Sequence, residues 1–497
     1  MNLSKRARDL ALTFTSWGSV TGSSGEVAFA ARLLASLSGF DKAWAQKIEG
    51  DGFGRSNVFA LKRGRSKRTI VLTGHFDVVP IENYGALQAL AFDPLQLLPA
   101  SIARLKATGE NPKALADFES GDFLPGRGLL DMKAGLAAGL AAIEAYDGEA
   151  SLLFIAVADE EERSAGARAA AAHLRQIAET EGLDIALVIN LDAISDQGDG
   201  QAARVVTTGS IGKQLLSAFV VGKEAHAGYP QDGANAAYIA AELVCALELA
   251  PELSETTGVE VTGAPTTLSA KDLKQGYNVT TPGFAFAYWN TLQHRRSGSQ
   301  VLDIAKGLAI QAIAKAEART GRKIQLMDYA DLVKLVAPEE ATAFKNVAAA
   351  QSHLDLPEQA KRVTQMVWER SGLSGPAVVL GFGSIPYPAV SLTDKVVESA
   401  ILQSLQPHGI GHLHYFAGIS DMSFFGEASG DLNLVAANTP IWGTSFTMPK
   451  PAGHPTVNLG PWGRDYHHWL ERLHAPYAFD VLPKALLSVI EAVAKAG

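Results

Sequence analysis

Three runs along the chain are apolar without a break: residues 69–73 (TIVLT), 151–157 (SLLFIAV) and 185–190 (IALVIN). A strand with one wet face alternates, so unbroken runs of this length predict strands buried on both faces, as in a sheet covered by helices. Helical periodicity fills the spaces between them. Residues 3–17 and 24–38 read as helices, the second opened by Ser23 and Ser24 with Glu26 in its first turn. Residues 132–146 are rich in Ala and Gly, and such small side chains allow close packing on a sheet. Residues 57–61 read as a further strand, paired as a hairpin with 69–73 around the basic turn KRGRSKR. Residues 80–125 mix apolar pieces with polar, Pro-containing stretches and read as a long excursion over one face. Strand–helix alternation with buried strands predicts an α/β fold built on a largely parallel, helix-covered sheet.

Near Thr207 the texture changes. Residues 213–330 give a strand (LLSAFVVG), a helix over 235–249, two strands (PTTLSAKDL and FAFAYWNTL), a helix over 301–319 and a last strand (KIQLMDY). That β-α-β-β-α-β order is the ferredoxin-like plan. The expected architecture is a discontinuous domain of residues 1–207 and 331–497, interrupted by an inserted domain of residues 208–330.

Composition narrows the class. With 47% hydrophobic and 19% charged residues, the 497-residue chain is a folded protein rather than a disordered one. A net charge of −9 without a basic block argues against nucleic acid and anionic membranes as partners. The single cysteine, Cys245, excludes an intrachain disulfide and suits a reducing compartment. It sits in the apolar stretch AAYIAAELVCALELA and is expected to be a buried core thiol. No run approaches the ~20 apolar residues of a membrane helix, and the expected location is cytoplasmic.

The chemistry lies at the ends of the apolar runs. GHFDVVP supplies His75 and Asp77, GRGLLDMKAG supplies Asp131, and VADEEE supplies Glu160 and Glu161. VINLDA adds Asp192 and DYHHWLE adds His467. His75, Glu160, Glu161 and Asp192 fall just after strand runs, and in α/β sheets ligands bind beyond the carboxyl ends of the strands. Two divalent ions need several ligands, including a carboxylate able to span ~3.5–4 Å. Zinc accepts imidazole and carboxylate in open sites, and carboxylate-rich sites also take cobalt or manganese. Asp131, immediately before a helix, is suited to bridging. Asp77 is suited to orienting the imidazole of His75 by accepting its hydrogen bond. Within the acidic triplet, one glutamate can bind metal while its neighbour takes the proton of an attacking water. The third acid, Glu162, allows that register to shift by one.

Other classes have weaker signals. TTGSIGKQ carries two glycines three apart and falls short of a dinucleotide-binding Gly-x-Gly-x-x-Gly turn. A non-catalytic, dimeric small-molecule-binding protein on the same scaffold is the alternative in another class. Loss of Glu160, Asp131 or a histidine ligand would favour it, and all are present.

Taken together, SSGEVAFAARLLASL, GHFDVVP, GRGLLDMKAG, ADEEERSAG, GKEAHAGYPQDGANA and GPWGRDYHHWLE span nearly the whole chain. Through them it resembles the aminoacylase, glutamate carboxypeptidase and succinyl-diaminopimelate desuccinylase family of dinuclear zinc hydrolases, above all the branch of arginine-utilisation proteins. The resemblance implies two zinc ions (Zn2+). His75 and Asp192 would hold one, Glu161 and His467 the other, with Asp131 bridging, Glu160 the general base and Asp77 the orienting carboxylate. It favours His467 over His468, because the family places a glutamate four residues after the ligand and Glu471 fits. It also implies a homodimer through the inserted domain, with His226 reaching the partner's site to stabilise the oxyanion and Asn278 helping to bind substrate. The family's Asp-x-Arg substrate clamp is replaced here by AYWNTLQHRR, which leaves Arg295 or Arg296 as substitutes. Asp421, in YFAGISDMSFFG, resembles a small-residue–Asp loop near the family's site. The implied activity is hydrolysis of the amide bond of a small N-acyl amino acid or dipeptide.

Overall fold

Strand Arg68–His75 runs parallel to Ser151–Val157 on one side and to Asp184–Asn190 on the other. Thr456–Asn458 extends the parallel run beside Asp184–Asn190. These four strands form the centre of an eight-stranded sheet. Its order is Lys42–Lys47, Ser56–Lys62, Ser151–Val157, Arg68–His75, Asp184–Asn190, Thr456–Asn458, Val205–Thr207, Gly411–Leu413. The parallel core matches the sequence pattern, while antiparallel pairs join the first three strands and link Thr456–Asn458 to Val205–Thr207. The computed structural model describes residues 2–351, 353–428, 430 and 432–496. Among them no helix is long and apolar enough to cross a membrane.

The hairpin expected around the basic turn is not formed. Ser56–Lys62 pairs with Lys42–Lys47 and Ser151–Val157, and the latter lies between it and Arg68–His75. Ser151–Val157 is apolar and buried throughout, and this position covers both its edges. Stepping over one strand needs only about 10 Å, within reach of the connecting residues. Arg63 and Arg65 of that connection pair with Glu181 and Glu149.

The excursion at 80–125 is helical. Asp93 caps Pro94–Thr108 by accepting from Gln96 N, and Asn111 caps Pro112–Ser120 by accepting from Ala114 N. Pro94 and Pro112 therefore occupy first-turn positions, where a missing N–H costs nothing, rather than breaking the helices. Gly109 and Gly121 close the two helices in the left-handed conformation, at φ 69° and 80°.

Helix Ala134–Ala145 is buried from Ala134 through Ile143. A Cβ on Gly135 would lie 2.0 Å from the Leu191 carbonyl oxygen, so this helix can approach the strand end only with glycine there. That contact holds the start of the helix, and with it Asp131, against the segment that carries Asp192.

The chain divides into two compact units, one drawn from residues 1–210, 390–428 and 449–497 and the other from 211–389 and 429–448. The second has a five-stranded sheet in the order Thr266–Asp272, Phe284–Gln293, Gly212–Val221, Ala377–Phe382, Gln325–Asp328. Helices Ala236–Leu247 and Gly298–Thr320 pack on it through Ile239, Leu243, Val301 and Leu302. The expected order of strands and helices is present, but the unit continues past residue 330. Ala377–Phe382 is buried throughout and slots between Gly212–Val221 and Gln325–Asp328, antiparallel to the first and parallel to the second. An apolar run of six residues announces a buried strand, not the sheet it joins. Cys245 is exposed, contrary to expectation. The buried stripe of its helix runs through Ala236, Ile239, Ala240, Leu243 and Leu247, and the cysteine falls off that line.

Candidate metal centre

The first unit brings its acids and histidines together at the carboxyl ends of the parallel strands. His75 is the last residue of its strand, Glu160 and Glu161 follow Ser151–Val157, and Asp192 follows Asp184–Asn190. Asp131 lies in the turn Leu129–Lys133 that enters helix Ala134–Ala145. His467 comes from the loop between Trp462–Arg464 and Arg472–His474.

The two oxygens of Asp131 face different imidazoles. Oδ1 is 3.2 Å from His75 Nε2 and Oδ2 is 3.2 Å from His467 Nε2. His75 Nε2 also lies 3.8 Å from Asp192 Oδ1 and 3.9 Å from Glu160 Oε2. His467 Nε2 lies 3.1 Å from Glu161 Oε2. Ligand atoms of His75, Asp131 and Glu161 all fall within 4.8 Å of one another, close enough to share one ion. Glu162 turns away, half exposed and paired with Arg163, so it takes no part in this cluster. His468 Nδ1 accepts from Leu470 N, leaving His467 as the histidine that faces the acids.

Charge is poorly balanced here. Burial opposes an imidazolium at His75, but the hydrogen bond to Asp131 and the nearby carboxylates of Asp192, Asp77 and Glu160 outweigh it and hold the pKa well above the ordinary value. Burial likewise opposes charge on His467, yet Asp131 and Glu161 lift it to about 10. Burial would raise Asp131, but its hydrogen bonds to His467 and His75 hold it far below the usual carboxylate range. The remaining acids move the other way. Burial pushes Glu160 well up; His75 pulls against this, while Asp421, Asp192 and Glu161 add to it. Glu161 and Asp192 are raised by burial, against the pull of His467 and His75 respectively. Asp421 is pushed to about 7 by burial, against the Ser164 side chain and His75. Carboxylates that outnumber imidazoles in a buried pocket, with protons standing in for missing positive charge, form a donor set that fits divalent cations.

Asp77 acts by a different route from the one expected. Its carboxylate oxygen is 3.6 Å from His75 Nδ1, too long for a hydrogen bond. The imidazole instead meets the Asp77 backbone carbonyl, at 3.0 Å. The carboxylate accepts from Glu160 N (3.0 Å), Glu161 N (3.2 Å) and the Thr21 hydroxyl (2.8 Å). One residue thus orients both the histidine and the paired glutamates.

Further supports of the site come from residues that no local motif marks. Arg55 is buried and donates to Asp159 Oδ1 at 2.6 Å and Glu26 Oε2 at 3.4 Å, while Glu26 Oε1 accepts from Asp159 N at 3.0 Å. Glu26, read as a first-turn charge, also anchors the residue just before Glu160. Asn458 accepts from Asp192 N and donates to Asp192 O, clamping that peptide on both sides. The glycines of TTGSIGKQ serve strand packing: a Cβ on Gly209 or Gly212 would lie 2.3 Å from Val390 O or 2.5 Å from Ala389 N.

His226, Asn278 and Arg295 belong to the second unit and are exposed. His226 bridges to Thr280 and Ala227 N donates to Val279 O, so His226 and Asn278 lie on neighbouring segments. Asn278 Oδ1 accepts from the backbone and hydroxyl of Thr280. The Arg295 backbone donates to Glu255 at 3.0 Å.

Comparison with known proteins gives a consistent picture. Residues 71–431 match the model of peptidase family M20/M25/M40. The uncharacterized protein YqjN of Bacillus subtilis strain 168 is 32% identical over 539 aligned residues, covering 100% of this chain and 98% of its own. Protein RocB of the same organism is 26% identical, covering 97% and 94% respectively. The M20 family metallo-carboxypeptidase Sso-CP2 of Sulfolobus solfataricus shares the fold, with a TM-score of 0.53 at 14% identity over 98% of both chains.

Proposed function

The chain belongs to peptidase family M20/M25/M40, and from that footing we propose that it hydrolyses the amide bond of a small N-acyl amino acid or dipeptide at a pair of divalent ions. The observation that carries this reading is the division of Asp131, whose two oxygens face His75 and His467 separately. His75 and Asp192 are assigned to one ion and Glu161 and His467 to the other, with Asp131 common to both. Zinc is the expected metal, with cobalt or manganese (Co2+, Mn2+) as substitutes. Bound ions would polarise the substrate carbonyl and lower the pKa of a coordinated water toward ~7.

The chain's own residues do the rest. Glu160 takes a proton from the attacking water and returns it to the departing amine. Asp77 holds the backbone of Glu160 and Glu161 so that base and ligand keep their division. Asn278 is assigned to substrate binding from the resemblance, and Arg295 as the substitute for the family clamp arginine that this chain lacks.

A panel of N-acyl amino acids and dipeptides, arginine derivatives included, tests the reading with zinc, cobalt or manganese added to metal-free protein. Metal-dependent release of an amine is expected. A two-ion protein that binds panel members and cleaves none would instead be the non-catalytic binding protein.

The same reading makes the molecule a homodimer in which His226 stabilises the oxyanion in the partner's site. His226→Ala should slow turnover by roughly 10²–10³-fold and leave metal content unchanged. Mixing it with Glu160→Gln chains should restore part of the activity, because one site of a mixed dimer keeps both residues. Exchange of subunits without recovery would remove the crossing role.

A further inference from the structure

We propose that Arg127 and Asn83 are positioning residues for the ion on the Glu161–His467 side, an inference that rests on the two-ion reading above. His467 differs from His75 in how it is held. Its backbone adopts the left-handed conformation, at φ 63°, where a residue with a side chain stays only if its surroundings fix it. Its side chain is 47% exposed, so packing alone does not hold the ring, whereas His75 is fixed within a buried strand.

What fixes His467 is its carbonyl oxygen. Asn83 Nδ2 donates to it at 2.9 Å and an Arg127 NH2 donates at 3.4 Å. The same Arg127 nitrogen donates to Asn83 Oδ1 at 3.0 Å, which closes a small hydrogen-bonded ring. The other arm of Arg127 meets Glu471 Oε2 at 2.5 Å, with both side chains buried. Glu471 Oε1 accepts from Gly128 N at 2.8 Å and lies 3.5 Å from Asp131 N. One guanidinium therefore grips the backbone of His467 directly and reaches the peptides leading to Asp131 through Glu471. A lysine in its place supplies a point charge, not a two-armed fork.

This arrangement also gives the 80–125 excursion a purpose. Besides supplying Asn83, it brings Asp117, whose carboxylate takes Arg464 and, at 2.8 Å, Arg472 Nε at the two feet of the His467 loop. Arg104 stacks over Trp469 of the same loop, 4.0 Å from the ring centre. The excursion braces a metal-ligand loop that is otherwise open to solvent.

The test is a metal titration. Chelator-stripped parent, Asn83→Ala and Arg127→Lys are titrated with Zn2+ by calorimetry, with elemental analysis of the loaded protein. Asn83 is exposed, so its removal opens no core cavity; Arg127→Lys keeps a cation beside Glu471. In both variants one of two binding steps should weaken by about 10–100-fold, as for other outer partners of metal ligands. In Asn83→Ala the other step and the melting temperature of the metal-free protein should stay as in the parent. Turnover should fall at limiting metal and return with excess, at unchanged KM. Two unchanged steps in both variants, or equal weakening of both steps in Asn83→Ala, would overturn the positioning role. A parent that takes up only one ion would overturn the two-ion reading instead, so the two failures are distinguishable.

Discussion

Glu160→Gln should keep its fold and its metal yet lose about 10²–10⁴-fold in turnover, the usual cost of removing a general base. The substitution preserves shape while removing the carboxylate's charge and with it the ability to accept a proton. Glu160 is suited to that task because it is close to the cluster without being paired into it. Its carboxylate is 3.9 Å from His75 Nε2, beyond hydrogen-bond reach, whereas Glu161 sits 3.1 Å from His467. The backbone N–H of Glu160, which is bonded to Asp77, is untouched by the change. Glu161→Gln provides the contrast, because it should lose metal as well as activity. Elemental analysis beside steady-state kinetics separates the two. A near-parental rate in Glu160→Gln would transfer the base role to Glu161 or remove it.

The residues legible in the sequence are those whose position follows from local pattern. His75, Glu160, Glu161 and Asp192 stand at the ends of apolar runs, and a parallel sheet gathers such ends whatever the order of its strands. Strand order itself was not legible. Ser56–Lys62 and Arg68–His75 are close in sequence and flank a polar turn, and only pairing with Ser151–Val157 decides that they are not neighbours. The end of the inserted unit at residue 330 fails for the same reason, since the burial of Ala377–Phe382 is written locally and its strand partners are not. The side chains that hold the site in shape were hidden further still. Arg55 and Asp159 lie 104 positions apart, and Arg127 and Glu471 lie 344 apart. A lone arginine in a polar stretch reads as solvated until the fold brings a carboxylate to it. Asp77 shows the intermediate case: its nearness to His75 is readable, but which of its atoms meets the imidazole depends on loop geometry.

Asp131→Ala should abolish binding of both ions together and take turnover below detection. His75, Asp192 and Glu160 gather on one side of Asp131, and His467 and Glu161 on the other, with 3.2 Å from each imidazole to its own carboxylate oxygen. A residue confined to one side should cost one ion, and Asp192→Ala and His467→Ala serve as those controls. Only a shared carboxylate couples the two losses. Coupling also distinguishes a bridge from simple loss of negative charge. Asp131→Asn retains the shape and one good oxygen, so it should keep partial affinity on a single side. Unfolding of the metal-free variants, followed separately, guards against mistaking collapse of the pocket for loss of a ligand. An Asp131→Ala protein that still binds two ions as tightly as the parent would remove the bridge. One that loses a single ion would assign Asp131 to that ion alone and leave the two sites independent.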